Sequence, residues 1–281
     1  MHSHGPVQDS PAMSSPPDRP APLSALPDAA ARGVRGVLTD IDDTLTDAGG
    51  IDPRALAALE ALRAAGIPVV AITGRPKGWS EPFARDWPIE AIVAENGAVA
   101  LFREGAELVV EYAQDAATRA ANARRLAAAA ARVLRDVPGS RLARDSAGRV
   151  TDIAVDHSEF EHLTPAQVEQ VVAAMRAEGL HATVSSIHVN GWYGDHDKLS
   201  GARWIVRRRL GRDLDAERGH WVYVGDSTND QLMFGAFELS VGVANLMRFA
   251  AELQTWPAYL AQGERGAGFA EVARRILEGR R

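Results

Sequence analysis

Apolar and polar positions follow two different periods along the chain, and this predicts strands and helices in turn. Residues 34–40 and 67–73 are short runs of apolar, largely β-branched positions, which are typical of buried strands. Residues 51–66 between them carry leucine at a helical interval and open on Asp52-Pro53, which predicts a capped helix. A strand, a helix and a strand in this order predict a βαβ unit with two parallel strands.

The parallel pattern continues, is interrupted, and then returns. A helix around 78–86 and a strand over 91–97 extend it, and a helix over 198–211 with a strand over 220–226 resumes it. The remaining elements that we predict for this part are a helix from about 228, a strand over 239–244, and helices over 246–254 and 268–279.

Residues 99–189 do not follow the parallel pattern and predict an inserted α+β domain. Its expected elements are hairpins over 100–113 and 141–156, helices over 115–136 and 164–179, and a strand over 183–191. We therefore expect an α/β fold in which residues 33–98 and 190–281 form a core with a parallel sheet, and residues 99–189 form a lid above it.

The first 32 residues differ in composition from the rest. They are rich in Pro, Ser and Ala and contain no β-branched or aromatic run that could be buried. We predict a disordered tail over 1–32. The segment also lacks the basic start and continuous apolar stretch of a secretory signal.

Composition excludes several classes of protein. The 281 residues are 46% hydrophobic and 24% charged, with a net charge of −6, which argues against a large nucleic-acid-binding surface. No apolar run approaches ~20 residues, so we expect no membrane span. Cysteine is absent, which permits a reducing compartment, and we expect a cytoplasmic location.

Three polar motifs follow predicted strands: DIDDT at 40–44, TGR at 73–75 and GDSTND at 225–230. Ligands of open parallel sheets bind beyond the carboxyl ends of the strands, so we expect these motifs to converge. Carboxylates this close together would repel one another in a partly dry site unless a positive charge lay among them. A distant basic residue or a metal ion is required, and hard oxygen ligands favour Mg²⁺.

Lysine is rare in this chain. Of its 31 basic residues, 29 are arginine, and the two lysines are Lys77 and Lys198. A compact ammonium fits where a planar guanidinium does not. We expect Lys198, which opens a core helix just after the insert, to join the site, whereas Lys77 is equally compatible with a solvated loop.

The order of DxDxT, a strand-end Thr, Lys and GDxxND resembles the haloacid dehalogenase (HAD) superfamily over nearly all of the chain from residue 34. The insert and the NGA at 96–98 resemble the IIB-type capped group, which includes Cof-type, sucrose-phosphate, trehalose-phosphate and mannosyl-phosphoglycerate phosphatases. This resemblance implies a Rossmann-like core with a C2-type cap and a Mg²⁺-dependent phosphatase that acts on a small phosphorylated metabolite. The expected substrate is a sugar phosphate.

The resemblance also implies roles for single residues. Asp40 would attack phosphorus and form an aspartyl-phosphate, and Asp42 would act as the general acid and base. Thr73 and the N–H of Gly74 would hold phosphate oxygens, and Lys198 would balance charge. Mg²⁺ would be held by Asp40, the Asp42 carbonyl and Asp226, with Asn229 or Asp230 in support.

Other candidates for substrate contact come from position alone. Asn96 sits at a strand end, and Asp43 adds a charge where the family often has glycine. Arg75 either touches substrate or lies in a solvated loop. Alternation places His188 on a strand face that either reads sugar hydroxyls or is an outer polar face.

The same motifs leave a second enzyme reading open. A phosphotransferase or mutase of the phosphomannomutase type uses the same aspartyl-phosphate and passes the phosphoryl group to a sugar instead of water. The expected partner in both cases is a small phosphorylated molecule, and the oligomeric state is left open.

Overall fold

The computed structural model describes residues 19–280. Its strands are β1 (Ala21–Pro22), β2 (Gly36–Thr39), β3 (Thr46–Asp47), β4 (Gly50–Ile51), β5 (Val69–Ile72), β6 (Ala91–Ala94), β7 (Val99–Glu104), β8 (Glu107–Tyr112), β9 (Arg141–Leu142), β10 (Asp152–Asp156), β11 (His181–Val184), β12 (His188–Trp192), β13 (Trp221–Gly225), β14 (Leu239–Gly242) and β15 (Tyr259–Leu260). Its α-helices are α1 (Asp28–Gly33), α2 (Pro53–Ala64), α3 (Lys77–Asp86), α4 (Ala116–Asp136), α5 (Pro165–Ala177), α6 (Lys198–Leu210), α7 (Gln231–Ala236) and α8 (Arg265–Glu278).

A nine-stranded sheet runs through the described part of the chain, in the order β1-β15-β14-β13-β2-β5-β6-β7-β8. The pairs from β1 to β6 are parallel, whereas β7 and β8 add an antiparallel edge. The strands β2, β5, β6 and β13 are fully buried along their length, as expected of parallel strands covered on both faces. The predicted α/β fold with a parallel sheet is confirmed.

Helices cover both faces of this sheet. On one face, α2 and α8 pack together through side chains such as Leu59, Leu62, Phe269 and Ile276. On the other face, α6 and α7 bury Ile205 and their neighbours against Leu38, Ile72 and Tyr223. The two apolar layers hold the sheet rigidly, so the ends of its strands form a fixed platform.

The cap is built on a second sheet. Four antiparallel strands in the order β11-β12-β10-β9 are covered by α4 and α5, which bury Leu126, Val133, Val171 and Met175 against them. The cap therefore has its own hydrophobic core.

The predicted tail is wrong for residues 21–32, whereas its earlier part up to Asp18 lies outside the described residues. Here β1 pairs with β15, and α1 packs against α8. Leu23 and Leu26 are each only 2% exposed. Two leucines set in a Pro-rich stretch are enough to dock the segment, which the low average hydrophobicity concealed.

The hairpin predicted over 100–113 exists, but it extends the central sheet and is not part of the cap. Leu101 packs into one apolar layer and Phe102 into the other, so β7 is covered on both faces. The unbroken apolar run of residues 98–102 is the signal of such a strand. The cap therefore begins after β8, at α4.

Two further element predictions are wrong. The single strand over 183–191 is a hairpin of β11 and β12, and the turn between them is held by Ser185 Oγ, which accepts from His188 N at 3.0 Å. The helix over 246–254 is a shorter 3₁₀ segment, Ala244–Phe249, and is followed by the unpredicted β15. No helix within residues 19–280 is both long and apolar enough to cross a membrane.

Candidate active site

The carboxyl ends of three neighbouring parallel strands bring the predicted motifs together. Asp40 directly follows β2, Thr73 follows β5 and Asp226 follows β13, and these strands are adjacent in the sheet. Because parallel strands end at the same edge, residues far apart in sequence meet there.

Lys198 supplies a positive charge to this edge. Its Nζ donates to Asp40 Oδ1 at 2.6 Å and to Asp230 Oδ1 at 2.7 Å, and the lysine is 3% exposed. Burial disfavours the charged ammonium, but Asp230 and Asp40 more than offset this and raise the pKa of Lys198. The basic residue that the acidic motif lacks locally is therefore provided by the first residue of α6.

The start of α6 is shaped to deliver this lysine. Asp197 and Ser200 form a capping box, with Ser200 N donating to Asp197 Oδ1 at 2.6 Å. Gly201 faces the turn after β6 so closely that a Cβ there would lie 2.7 Å from Gly97 Cα. The close backbone approach carries Lys198 to the strand ends.

Asp230 organises the site and has no free ligand atom. Its Oδ1 accepts from Lys198 and from Tyr223 OH, the latter at 2.5 Å. Its Oδ2 accepts from the backbone N–H groups of Asp226 and Ser227 at 2.9 and 3.1 Å. With both oxygens engaged, Asp230 fixes its neighbours in place.

Asp226 has an oxygen that is free for a metal. Its Oδ2 accepts from Asn245 Nδ2 at 3.1 Å, whereas the buried Oδ1 has no partner among the described residues. Burial, Asp40 and Asp230 raise the pKa of Asp226 well above its usual value. Burial likewise raises the pKa of Asp40 to about 8, partly opposed by Lys198. A cation would stabilise both carboxylates.

The donor set fits a divalent ion with oxygen ligands. Carboxylate oxygens of Asp40, Asp226 and Asp230 lie within 4.8 Å of one another. The Asp42 carbonyl, also expected as a ligand, accepts no hydrogen bond within residues 19–280. Asp40, Asp226 and the Asp42 carbonyl could therefore hold a metal ion, with the orphaned oxygen of Asp226 as the clearest indication.

Backbone and side-chain donors surround the space in front of Asp40. The N–H groups of Asp42 and Gly74 donate to no described residue, and the buried Asn96 Nδ2 has no partner among residues 19–280 either. The Thr73 hydroxyl accepts from Arg75 N at 2.9 Å. This lining suits an anion with several oxygens.

Asp42 lies beside Arg75, and this pair connects the core to the cap. Arg75 Nε donates to Asp42 Oδ1 at 2.8 Å, and Arg75 is 4% exposed, so the solvated-loop reading of this arginine is wrong. Arg75 Nη2 donates to Glu159 Oε1 at 2.7 Å. His188 Nε2 lies 3.0 Å from Glu159 Oε2, so His188 faces this inner contact and not solvent.

Two predicted residues are engaged by partners outside the carboxylate cluster. Asp43 has a φ of 55° and pairs with Arg265 Nε at 2.9 Å. Asn229 Oδ1 accepts from Ser227 Oγ at 2.8 Å and belongs to the wall of a neighbouring cavity.

That cavity, of about 450 Å³, lies between core and cap beside the lysine. Core residues Asn96, Lys198 and Asn229 form one side, and cap residues including Thr183 and Trp192 form the other. It is large enough for a small organic group attached to an anion at Asp40.

The cap is docked on the core by further buried hydrogen bonds. Glu95, fully buried after β6, accepts from Thr151 N at 2.6 Å and from Thr151 Oγ1 at 2.5 Å. Thr228 Oγ1 of the core also donates to Val184 O of the cap, at 2.7 Å.

Sequence reasoning missed several residues of the site. Asn245 follows β14, so the strand-end rule that found Asp40 could have found it. Tyr223 lies inside β13, and Glu159 lies in a cap loop, so neither carried a positional signal.

A second group of possible metal ligands, Asp156, Glu159 and His188, has a structural explanation. Asp156 accepts from the backbone N–H groups of residues 158–160 and caps that turn. Glu159 is committed to Arg75 and His188. We assign no metal to it.

Residues 37–122 match the family model of haloacid dehalogenase-like hydrolases. No curated protein matches the sequence. The structure is similar to that of a Thermoplasma acidophilum protein, with 16% identity, a TM-score of 0.66, and coverage of 87% of this chain and 98% of that one.

Two other similar structures have named activities. One is the sucrose-phosphatase of Synechocystis, solved with sucrose and phosphate (16% identity, TM-score 0.61, 87% and 98% coverage). The other is the C-terminal domain of Candida albicans trehalose-6-phosphate phosphatase (15% identity, TM-score 0.66, 92% and 99% coverage). The family model supports the resemblance that the motifs indicated, and the structural matches show the same fold.

Proposed function

We propose that this chain is a Mg²⁺-dependent phosphatase of the haloacid dehalogenase superfamily that hydrolyses a small phosphorylated metabolite. The arrangement of Lys198 between Asp40 and Asp230, with the unpartnered Oδ1 of Asp226 beside them, supports this function best. It combines a nucleophile, a fixed positive charge and a place for a cation. Phosphoryl transfer needs these three parts and little else.

Asp40 is the nucleophile of this reaction. One of its oxygens attacks phosphorus in line while the bond from phosphorus to the alkoxide oxygen breaks, which leaves an aspartyl-phosphate. The N–H groups of Asp42 and Gly74, the Thr73 hydroxyl and Asn96 hold the phosphate oxygens. Lys198 offsets the charge of Asp40 as the anionic substrate approaches.

Asp42 moves the protons. It gives a proton to the departing alkoxide, and it then takes one from the water that hydrolyses the aspartyl-phosphate. Asp40, Asp226 and the Asp42 carbonyl would hold Mg²⁺, which supplies charge screening between the carboxylates and the phosphate. Asp230 and Asn245 orient those ligands.

We infer a sugar as the leaving group. The cavity of about 450 Å³ beside Lys198 has room for one, and polar side chains such as Asn96 and Thr183 line it. Similar structures include phosphatases of sucrose phosphate and trehalose 6-phosphate, which supports the same class. The expected cytoplasmic location stays a prediction.

The test is phosphate release from a panel of sugar phosphates and 4-nitrophenyl phosphate, with and without Mg²⁺. We expect Asp40→Asn to lose at least about a thousandfold in kcat, because the nucleophile is removed. Asp47→Asn, in the same acidic segment but exposed, is the matched control and should keep wild-type activity.

Metal-independent release, or an active Asp40→Asn variant, would refute the assignment. Isomerised sugar phosphate with little free phosphate would favour the mutase reading, since the aspartyl-phosphate would then be passing to a sugar.

A further inference from the structure

One buried guanidinium contacts both the core and the cap. Arg75, in the loop between β5 and α3, donates from Nε to Asp42 Oδ1 at 2.8 Å. The opposite edge of the same group faces the cap, where Nη2 donates to Glu159 Oε1 at 2.7 Å and Nη1 to Glu159 Oε2 at 3.2 Å. Asp145 of the cap accepts from Nη1 at 3.2 Å. The side chain of Asp42 is thus joined to two cap carboxylates through one planar group.

The geometry of this group constrains Asp42. A guanidinium is planar, so a bidentate pair on one edge fixes the direction of the N–H on the other edge. With Arg75 held by Glu159, Nε points at Asp42 Oδ1, while Asp42 Oδ2 accepts no hydrogen bond from the described residues. One carboxylate oxygen is therefore anchored and the other remains available for proton transfer.

Glu159 is itself held in place. His188 Nε2 lies 3.0 Å from its Oε2, and the Arg75 guanidinium lies 4.9 Å from the Trp79 ring centroid. Although burial alone would raise the pKa of Glu159, hydrogen bonds from His188 and Arg75 lower it to about 2. The lowered pKa of Glu159 favours its ionised form, which suits its pair with Arg75.

We propose that Glu159 is a positioning residue supplied by the cap, which acts through Arg75 to orient the Asp42 carboxyl toward the leaving-group oxygen. This inference rests on the proposed function. In the step concerned, the bond from Asp40 to phosphorus forms, the bond from phosphorus to the leaving oxygen breaks, and the proton of Asp42 moves to that oxygen. Glu159 contacts no substrate atom, and its effect is confined to the direction of this transfer.

The leaving group decides how much this orientation matters. An alkoxide is a strong base and departs only with a proton, whereas 4-nitrophenolate departs without one. A misdirected Asp42 should therefore slow the cleavage of an alkyl phosphate much more than that of 4-nitrophenyl phosphate. A general loss of folding or of phosphate binding would slow both esters equally.

The experiment compares kcat/KM for glycerol phosphate, or the best alkyl ester of the panel, with that for 4-nitrophenyl phosphate. We expect Glu159→Gln to lower the ratio of the two by about tenfold, the equivalent of one charge-assisted hydrogen bond of about 1.4 kcal/mol. Arg75→Lys, which keeps the charge but loses the planar, bidentate guanidinium, should lower the ratio as well. Glu161→Gln is the matched control. Glu161 lies in the same loop as Glu159, but it pairs with Arg141 at 3.5 Å and not with Arg75.

The outcomes separate the two proposals. An unchanged ratio in Glu159→Gln and Arg75→Lys, whether both esters slow equally or neither does, overturns the positioning role and leaves the phosphatase intact. A ratio lowered equally in Glu161→Gln also overturns it. A wild-type enzyme that cleaves neither ester overturns the proposed function, and this inference with it.

Discussion

The two lysines of this arginine-rich chain have different environments. Lys198 is 3% exposed and lies between two carboxylates, whereas the Lys77 side chain is 27% exposed and pairs with Glu81 one helical turn away. An ammonium can sit between Asp40 and Asp230 because it is compact. The retention of lysine at position 198 thus has a physical reason that position 77 lacks.

We predict unequal costs for removing these two charges. Lys198→Met should lower the free energy of unfolding by about 3–5 kcal/mol, because it leaves two buried carboxylates without their cation. Lys77→Met should cost less than about 1 kcal/mol, as expected for an exposed pair. Urea denaturation of both variants at one pH and one Mg²⁺ concentration measures the difference. Equal costs would contradict the buried position of Lys198.

Among single residues, the sequence predicted those site residues that directly follow a strand, and few others. Asp40, Thr73 and Asp226 could be predicted because each directly follows an apolar strand. Arg75 and Glu159 could not be paired, since 84 residues separate them and their contact depends on how the cap docks. Arg75 can pair with Glu159 because it is buried where the core and the cap meet, and the TGR motif alone does not indicate that burial.

The turn after β6 connects the core to the cap. Glu95 and Asn96 have φ values of 50° and 56°, in the left-handed region that non-glycine residues rarely adopt. This turn aims the Glu95 carboxylate at the cap backbone of Val150 and Thr151. The strain persists because these hydrogen bonds and the burial of the turn hold it.

We predict that Glu95→Gln loosens the cap locally. The new amide group would place a donor against backbone N–H groups, so the hydrogen bonds to Val150 and Thr151 would weaken. Hydrogen–deuterium exchange at these two amides should accelerate by at least about tenfold, while β13 keeps its protection. Glu90→Gln, at the start of β6, is the control, and acceleration in both variants would contradict a specific tie at Glu95.

Helices and strands were predicted correctly where the hydrophobic pattern was continuous. The predictions were wrong where a few residues, or contacts distant in sequence, determine the structure. The core unit of β2, α2 and β5 was predicted correctly because helix capping residues and apolar runs are local signals. The hairpin β7-β8 was assigned to the wrong unit, because a local pattern predicts a strand without its neighbours. The order of residues 21–32 was missed, because it comes from docking on α8 and β15.

Core and cap meet again at the connection between β12 and α6, where His196 lies. The His196 ring stacks on Trp192 with centroids 5.7 Å apart, and neither ring nitrogen has a partner among the described residues. Burial lowers the pKa of His196 from 6.5 to about 4. Its protonation must therefore oppose the folded state of the whole molecule.

We predict an acid-sensitive stability that depends on this residue. Because the folded pKa lies below the unfolded value, the contribution is complete above pH 6.5 and is lost as the pH falls toward 4. The loss should be on the order of 2 kcal/mol. Between pH 7 and pH 4.5, the free energy of unfolding of the wild type should fall by this amount relative to that of His196→Phe, which keeps the stacking. Urea denaturation of both proteins over this pH range measures the difference. Parallel curves for the two proteins would contradict the prediction.

The pairing of Lys198 with Asp40 spans 158 positions, and the entire cap lies between them. Strand β2, which carries Asp40, also borders β13 from the last quarter of the sequence. During synthesis on the ribosome, the nucleophile therefore emerges long before its counter-ion and its central neighbour. The growing chain carries uncompensated carboxylates until Lys198 has been added, and the reaction centre, which also needs Asp226 and Asp230, can form only after that. Catalytic competence should thus arise late and in one step.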